Sequence, residues 1–248
     1  MDILAACHVH SVWSYDGSWE LEALSQSFSS RGYRVLMMTE HDRGFTRERL
    51  EEYRAACSRV SSGKILVVPG IEYSDAANRV HVLVWGDVPF LGEGLPTGEM
   101  LAKVSLAGGL AVLAHPSRKE AWKSFEPAWT DALLGIEVWN RKYDGWAPSV
   151  NATTLLQETG ATQFVGLDFH TDRQFFPLGM ALDIPGEVSE DSVLDALRAG
   201  RCSARAFKFP VSEGVVRTAI PVLRIAERGR RMGASLARRA KGAKRRPV

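Results

Sequence analysis

The sequence predicts an α/β fold, either a parallel sheet or a β/α barrel, on three observations. Short apolar runs alternate with helical patterns along most of the chain. Polar groups recur at one position in that alternation: His8, His41, Glu72, His115, Asn140 and Asp168 each fall at or just past the C-terminal end of a predicted strand. That is the face on which barrels build active sites, so the pattern favours the barrel. Finally, 248 residues with 45% apolar and 24% charged content suit one barrel-sized domain or two small ones.

The elements follow in order. Ile3 to Cys7 reads as a strand, and Ser18 as the N-cap of a helix through Ser30, with Gly32 just beyond. Val35 to Thr39 is a second strand. Thr46 to Ser61 is an amphipathic helix rich in Arg and Glu, closed by Gly63. Ile65 to Val68 is a third strand, stopped by Pro69-Gly70. Val82 to Trp85 is a fourth, followed by a Gly/Pro-rich loop. A helix near Glu99 to Ala107 ends at Gly108-Gly109 and leads to strands at Leu110–Ala114 and Gly135–Trp139. Ser149 to Thr159 is a helix ended by Gly160, and Thr162 to Leu167 a seventh strand. Met180 to Ile184, a helix from Glu190 to Ala199, and Cys202 to Phe207 complete the compact part. His81 stands apart because it opens its strand. It reaches the common face only if that strand runs against its neighbours, or the chain doubles back after Glu72 through a hairpin near Asn78.

Composition excludes several classes. Three widely spaced cysteines, Cys7, Cys57 and Cys202, argue against a disulfide framework and for a reducing compartment. No stretch approaches the 18 or so apolar residues of a membrane span, and the first residues are too short and acidic for a signal sequence. The expectation is a cytoplasmic protein with no membrane partner. Net charge is +2, yet nine basic residues and no acidic one lie between Arg228 and Val248, which leaves the rest of the chain acidic. That distribution is unlike a dedicated nucleic-acid binder, although the tail could contact nucleic acid electrostatically.

All six histidines fall in short motifs that resemble metal-ligand runs: A-C-H-V-H-S (His8, His10), T-E-H-D (His41), R-V-H-V (His81), A-H-P (His115) and L-D-F-H (His170). Asp16, Glu72 and Asp168 accompany them. Nine such groups exceed the three or four ligands of one zinc site and suit two or three ions. His8 with His10, and Asp168 with His170, are spaced i, i+2, which points both side chains the same way along an extended chain. The competing reading for each is a hydrogen-bonded core group, and for Asp16 an ordinary Asp-Gly turn. Cys7 beside His8 is read as an inert buried thiol, because hard oxygen ligands dominate its surroundings.

Taken in order, H-V-H-S-V-W-S-Y-D-G, T-E-H-D, G-I-E, a lone His, A-H-P and L-D-F-H resemble the PHP (polymerase and histidinol phosphatase) family over about residues 3 to 207. The resemblance implies a distorted (β/α)7 barrel with a di- or trinuclear metal centre at the strand ends, and phosphoester hydrolysis. It implies a first metal on His8, His10, Glu72 and Asp168, a second sharing Glu72 with His81 and His115, and a third on Asp16, His41 and His170. The domain division expected is a hydrolase domain over 1–210 and an extension over 211–248 with a basic, flexible tail. Two departures matter. Many relatives read T-D-H where this chain has Thr39-Glu40-His41, and Glu40 is not a ligand in that scheme. Only 53 residues separate His115 from Asp168, too few for the subdomain that some relatives insert.

The expected chemistry follows. Glu72 can bridge two cations with its two oxygens. A cluster of two or three divalent ions, Mn, Fe or Zn, lowers the pKa of water from roughly 15.7 toward about 7 and polarises the phosphoryl group. Glu72, Asp168 and His170 are therefore read as catalytic as well as ligating. Substrate phosphate falls to Arg118, Arg43 or Lys142, and Trp13, Trp139 or Trp146 could wall a pocket. The function expected is hydrolysis of a small phosphorylated metabolite, with a histidinol-phosphate type of substrate or nucleic-acid end processing through the tail as rivals. A domain that only scaffolds metal is the non-enzymatic alternative.

Overall fold

A computed structural model of the chain describes residues 2–212 and 214–243. Among these, twelve strands and six α-helices form two six-stranded sheets. The strands are β1 (Asp2–Val9), β2 (Val35–Met38), β3 (Glu40–His41), β4 (Leu66–Val68), β5 (Gly70–Ser74), β6 (His81–Trp85), β7 (Leu110–Ala114), β8 (Gly135–Asn140), β9 (Thr162–Gly166), β10 (Leu178–Asp183), β11 (Cys202–Ala206) and β12 (Phe209–Pro210). The helices are α1 (Leu21–Ser30), α2 (Arg47–Val60), α3 (Thr97–Leu106), α4 (Val150–Thr159), α5 (Glu190–Arg198) and α6 (Gly214–Ala243). One sheet runs β12-β11-β10-β1-β2-β4 and the other β3-β5-β6-β7-β8-β9.

The sheets meet along two seams. On one, β2 continues into β3 and β4 into β5, so the parallel pair β2/β4 becomes the parallel pair β3/β5. On the other, the chain beyond β9 pairs with the end of β1. There Leu167 N–H donates to the Cys7 carbonyl at 3.0 Å, Phe169 N–H to that of His8 at 3.0 Å, and His10 N–H to that of Phe169 at 2.9 Å.

β6 runs antiparallel to both β5 and β7, with His81 paired to Ser74 and to Ala114. That reversal resolves the position of His81, because the start of β6 lies beside the ends of its neighbours. The strand expected to stop at Pro69-Gly70 instead resumes as β5. Proline lacks the N–H that a ladder needs, so pairing lapses for one residue only. Gly70 then lets the Trp85 indole approach and donate to the Met38 carbonyl at 2.8 Å; a Cβ there would lie 2.5 Å from that oxygen.

Helix ends are held by side-chain caps and by glycine. Thr46 and Ser149 cap α2 and α4 through their side chains, and Gly160 ends α4 at φ +65°. Ser18 is the exception. Glu20 occupies the N-cap of α1 without a side-chain bond, and the Ser18 hydroxyl donates to the His170 carbonyl at 2.6 Å. Past residue 211 the chain is helical over Gly214–Ala243, and residues 244–248 of the expected basic tail lie outside the described ones. No helix among the described residues is long and apolar enough to cross a membrane.

The core is one continuous apolar cluster that takes in Phe28, Met37, Tyr53, Trp85, Trp139 and Phe164. Burying side chains of this size stabilises the fold by about 1.5–3 kcal/mol each. Cys7 belongs to it as expected, fully enclosed with its thiol 3.7 Å from the Met37 sulfur, and burial pushes that thiol up. The interior is interrupted at one end of the strands by a group of buried polar side chains.

Candidate metal centre

All nine sequence-predicted ligand candidates are brought to that end. Glu72 on β5 is 1% exposed and stands at the middle. Its Oε1 lies 2.7 Å from His81 Nδ1, 2.8 Å from His115 Nε2 and 3.5 Å from His8 Nε2. Its Oε2 lies 3.0 Å from His41 Nδ1 and 3.4 Å from His10 Nε2. Asp168 is next: its Oδ1 is 3.8 Å from His8 Nε2, 3.7 Å from His10 Nε2 and 3.3 Å from His170 Nδ1. Asp16 closes the outer side with one oxygen 3.2 Å from His41 and the other 3.2 Å from His170.

Three sets of donor atoms are close enough to share an ion: His10, His41 and His170; His8, Glu72 and His115; His8, His10 and Asp168. His8 and His10 each join two sets, so the three-way allocation implied by the family resemblance is not the only one this geometry permits.

The fit to cations rests on unsatisfied atoms. His8 Nε2, His10 Nε2 and Glu72 Oε2 are buried and have no hydrogen-bond partner. Buried polar groups are ordinarily paired, so these lone pairs converging on one space suit divalent ions. Electrostatics agrees. Burial alone would raise Glu72, but His81, His8, His115 and His41 hold it well below the usual carboxylate range. Asp168 is likewise held down against burial by His8, Lys142 and His115. Burial and the neighbouring His41 and His170 hold His10 well below its ordinary value.

The backbone is special at the same places. His8 (φ +61°), His115 (φ +26°) and Asp168 (φ +49°) all adopt left-handed conformations that non-glycine residues rarely take. Such strain concentrates at functional sites. His8 also sits in a register shift between β1 and β2, so the simple i, i+2 geometry of an extended strand does not describe it. Its ring still ends 5.2 Å from that of His10.

Residues that sequence reasoning passed over hold the candidate ligands in place. Glu137 is fully buried: Oε1 lies 2.9 Å from His8 Nδ1, and Oε2 accepts from the His115 N–H at 2.9 Å and from Asn140 Nδ2 at 3.0 Å. It fixes which nitrogen His8 turns inward. Gly166 makes room for it, because a Cβ there would collide with Glu137 Oε1. The signal was present: an acid in the apolar run Ile136-Glu137-Val138-Trp139 repeats the Gly-Ile-Glu of Glu72. Glu40 is also fully buried and accepts from the Ser11 N–H at 3.0 Å, the Ser11 hydroxyl at 2.6 Å and the Ser14 hydroxyl. It thereby pins the turn between His10 and Asp16. Asn78, at φ +49°, places its Oδ1 2.6 Å from His81 Nε2.

The expected substrate contacts divide. Lys142 Nζ lies 3.2 Å from Asp168 Oδ1 and 3.2 Å from His170 Nε2, inside the cluster. Arg118 lies beside it, with three of its five N–H donors on the Asn78 carbonyl (2.8 Å), Asn78 Oδ1 (2.8 Å) and the Tyr143 hydroxyl (3.1 Å). Arg43 is exposed and lies 5.5 Å from the Tyr15 ring centre, outside the ligand shell. Of the tryptophans, Trp139 is core, donating to the Gly145 carbonyl at 3.1 Å, Trp13 packs on Tyr53 at 5.5 Å, and Trp146 sits 5.8 Å from Arg230. The aromatics against the candidate ligands are Tyr15, stacked 5.1 Å from the His41 ring, and Tyr143, 4.8 Å from that of His115.

No family model and no curated protein matches this chain. Solved structures do. A two-domain protein from Bacteroides vulgatus, containing a predicted PHP-like metal-dependent phosphoesterase, aligns with a TM-score of 0.65 and 19% identity. The match covers 83% of this chain, which spans only 65% of that protein. PsfC from Pseudomonas syringae aligns at 0.62 and 16% identity over 94% of this chain and 99% of its own. The lesion-specific endonuclease PfuEndoQ from Pyrococcus furiosus aligns at 0.57 and 14% identity over 80% of this chain and 56% of its own. With motifs that resemble the PHP family and a fold shared with a PHP-like protein, the chain is a PHP-type α/β fold.

Proposed function

We propose that this protein is a metal-dependent phosphoesterase acting on a small phosphorylated metabolite. One observation carries the reading: nine imidazole and carboxylate groups converge on a buried space in which His8 Nε2, His10 Nε2 and Glu72 Oε2 lack partners. Two or three divalent ions held there would supply Lewis-acid charge and acidify water at neutral pH. Glu72 would be shared between ions in this reading, and Asp168 and His170, just past the end of β9, would complete the shell. Lys142 Nζ sits where a phosphoryl oxygen can be neutralised. Glu137 keeps the His8 Nδ1 proton and so keeps Nε2 open for a metal. Hydrolysis breaks the P–O ester bond, and the alcohol leaves with a proton from water.

In the same reading β1, β2/β3, β4/β5, β6, β7, β8 and β9 close as a distorted seven-stranded barrel, with β10, β11 and β12 extending the sheet past β1. The seams at Val9–Phe169 and at the β2/β3 junction support closure. A second reading, nucleic-acid end processing, is favoured by the arginines of α6 and by the fold shared with an endonuclease.

The test is phosphate or alcohol release from a panel of monoesters, diesters and oligonucleotides. Chelator-stripped protein is compared with protein reloaded with Mn, Fe or Zn. Turnover restored by metal, with a small monoester or diester preferred, is expected. Preference for oligonucleotides, falling steeply with salt, moves the assignment to the second reading. No turnover with any metal ends both.

A further inference from the structure

Beside the metal centre lies a groove of about 730 Å³ that belongs to none of the motifs above. One wall is the turn after β7, one the loop after β8, and the third is α6. Five cations line it: Arg118 and Lys119 from the turn, and Arg224, Arg228 and Arg231 from the helix. We infer that this groove is a second anion-binding site, and that the substrate carries a second phosphate or carboxylate group, which the groove holds while the scissile phosphate meets the metal centre. The inference rests on the phosphoesterase reading for the word substrate, but not for the site.

Four observations support it. The first is unspent hydrogen-bonding capacity. Arg224 Nε is buried without a partner, and Arg228 has none among the described residues. A buried guanidinium N–H left open is costly unless an acceptor arrives. The second is that both acids of the groove are already engaged. Glu227 is held by Arg230 at 2.6 Å and Arg231 at 2.6 Å, and Asp144 accepts from the Ser117 hydroxyl at 2.6 Å and the Asn140 N–H at 2.7 Å. The third is strain: Lys119 (φ +48°) and Glu120 (φ +56°) are consecutive left-handed residues without a glycine, and they set the turn from which Lys119 lines the groove with one N–H on the Asn78 carbonyl at 2.8 Å. The last is continuity. Arg118 donates to the Tyr143 hydroxyl, and the Tyr143 ring rests 4.8 Å from that of His115, so one wall serves both the groove and the metal centre.

The helix is held in this position by specific contacts. Arg231 donates to the Tyr143 carbonyl at 2.6 Å and Arg224 to that of Pro148 at 3.3 Å. Glu227 presses on Gly145, where any Cβ would strike its carboxylate. α6 lies beyond residue 207, outside the span over which the motifs resemble a family. A groove of this size holds a small metabolite, and its cations gather at one place instead of tracking along a surface.

Two arms separate the site from the reaction. In the first, binding of inorganic tripolyphosphate to the full chain is followed by calorimetry, with Arg228→Glu and Lys119→Glu as variants from opposite walls. Each reversal is expected to weaken binding about tenfold or more, with thermal unfolding unchanged. In the second, the metal-loaded protein is given glucose 1-phosphate and glucose 1,6-bisphosphate. The wild type is expected to show the lower KM for the bisphosphate, and each variant to lose that preference. Tripolyphosphate binding indifferent to both reversals overturns the site. Binding lost on reversal, with neither ester hydrolysed, keeps the site and sinks the phosphoesterase reading. A single-stranded oligonucleotide that outcompetes tripolyphosphate, salt-dependently and through the same residues, overturns the small dianion as occupant.

Discussion

The triplet Gly-Ile-Glu occurs twice, at 70–72 on β5 and at 135–137 on β8, and the two glutamates do different things. Both are buried at the same end of the strands. Glu72 faces five histidines and keeps Oε2 without a hydrogen-bond partner. Glu137 has both oxygens occupied, by His8, the His115 N–H and Asn140. A buried carboxylate with an open oxygen is poised for a cation, while one with none open is a fixture for its neighbours. The same three residues thus give a candidate ligand in one setting and a support in the other.

The sharpest way to break this contrast is to neutralise each acid in turn. Glu72→Gln should abolish bound metal and lower kcat/KM by at least about a thousandfold, read by metal analysis and turnover. Glu137→Gln should keep metal but weaken its affinity about 10–100-fold, read by competition with a chelator. Equal losses from the two would erase the distinction. Gly166→Ala should follow Glu137→Gln and also destabilise by about 1–3 kcal/mol in denaturant melts, because its Cβ displaces the Glu137 carboxylate.

A smaller effect sharpens the contrast with a partly buried acid, Asp144. Burial raises Asp144 to about 6, against the hydrogen bonds from Asn140 and Ser117. Its folded form therefore holds a proton more tightly than the unfolded chain. Its contribution to stability is full below the ordinary carboxylate range and is lost as pH rises through about 6. Asp144→Asn should flatten that part of the stability–pH curve, by up to about 3 kcal/mol between pH 4 and 7. Smallest is Ser18→Ala, which removes one hydroxyl bond to the His170 carbonyl and should cost about 1 kcal/mol or less.

Much of this was legible from residues alone. Imidazoles and carboxylates at strand ends announce themselves, since apolar runs mark the strands and polar groups interrupt them. Glu137 was hidden because a strand acid looks like a solvent-facing residue until the second sheet face is known to be covered. β5 was hidden because Pro69-Gly70 reads as a stop, whereas here it is a one-residue lapse between paired strands. The left-handed backbone at His8, His115 and Asp168 has no signature in residue type, because tertiary packing imposes it. The groove beside α6 needed distant segments, 117–119 and 224–231, to be placed side by side.

The reversed strand β6 has one further consequence. The stretch from Asp75 to Val80 looks like a place to splice in an affinity tag or open the chain for circular permutation, since exposed turns usually tolerate both. Here it sets the distance between Glu72 and His81, and its Asn78 touches both His81 and Arg118. A longer turn would leave the sheet intact and still detune the site, so this turn is poor ground for either change.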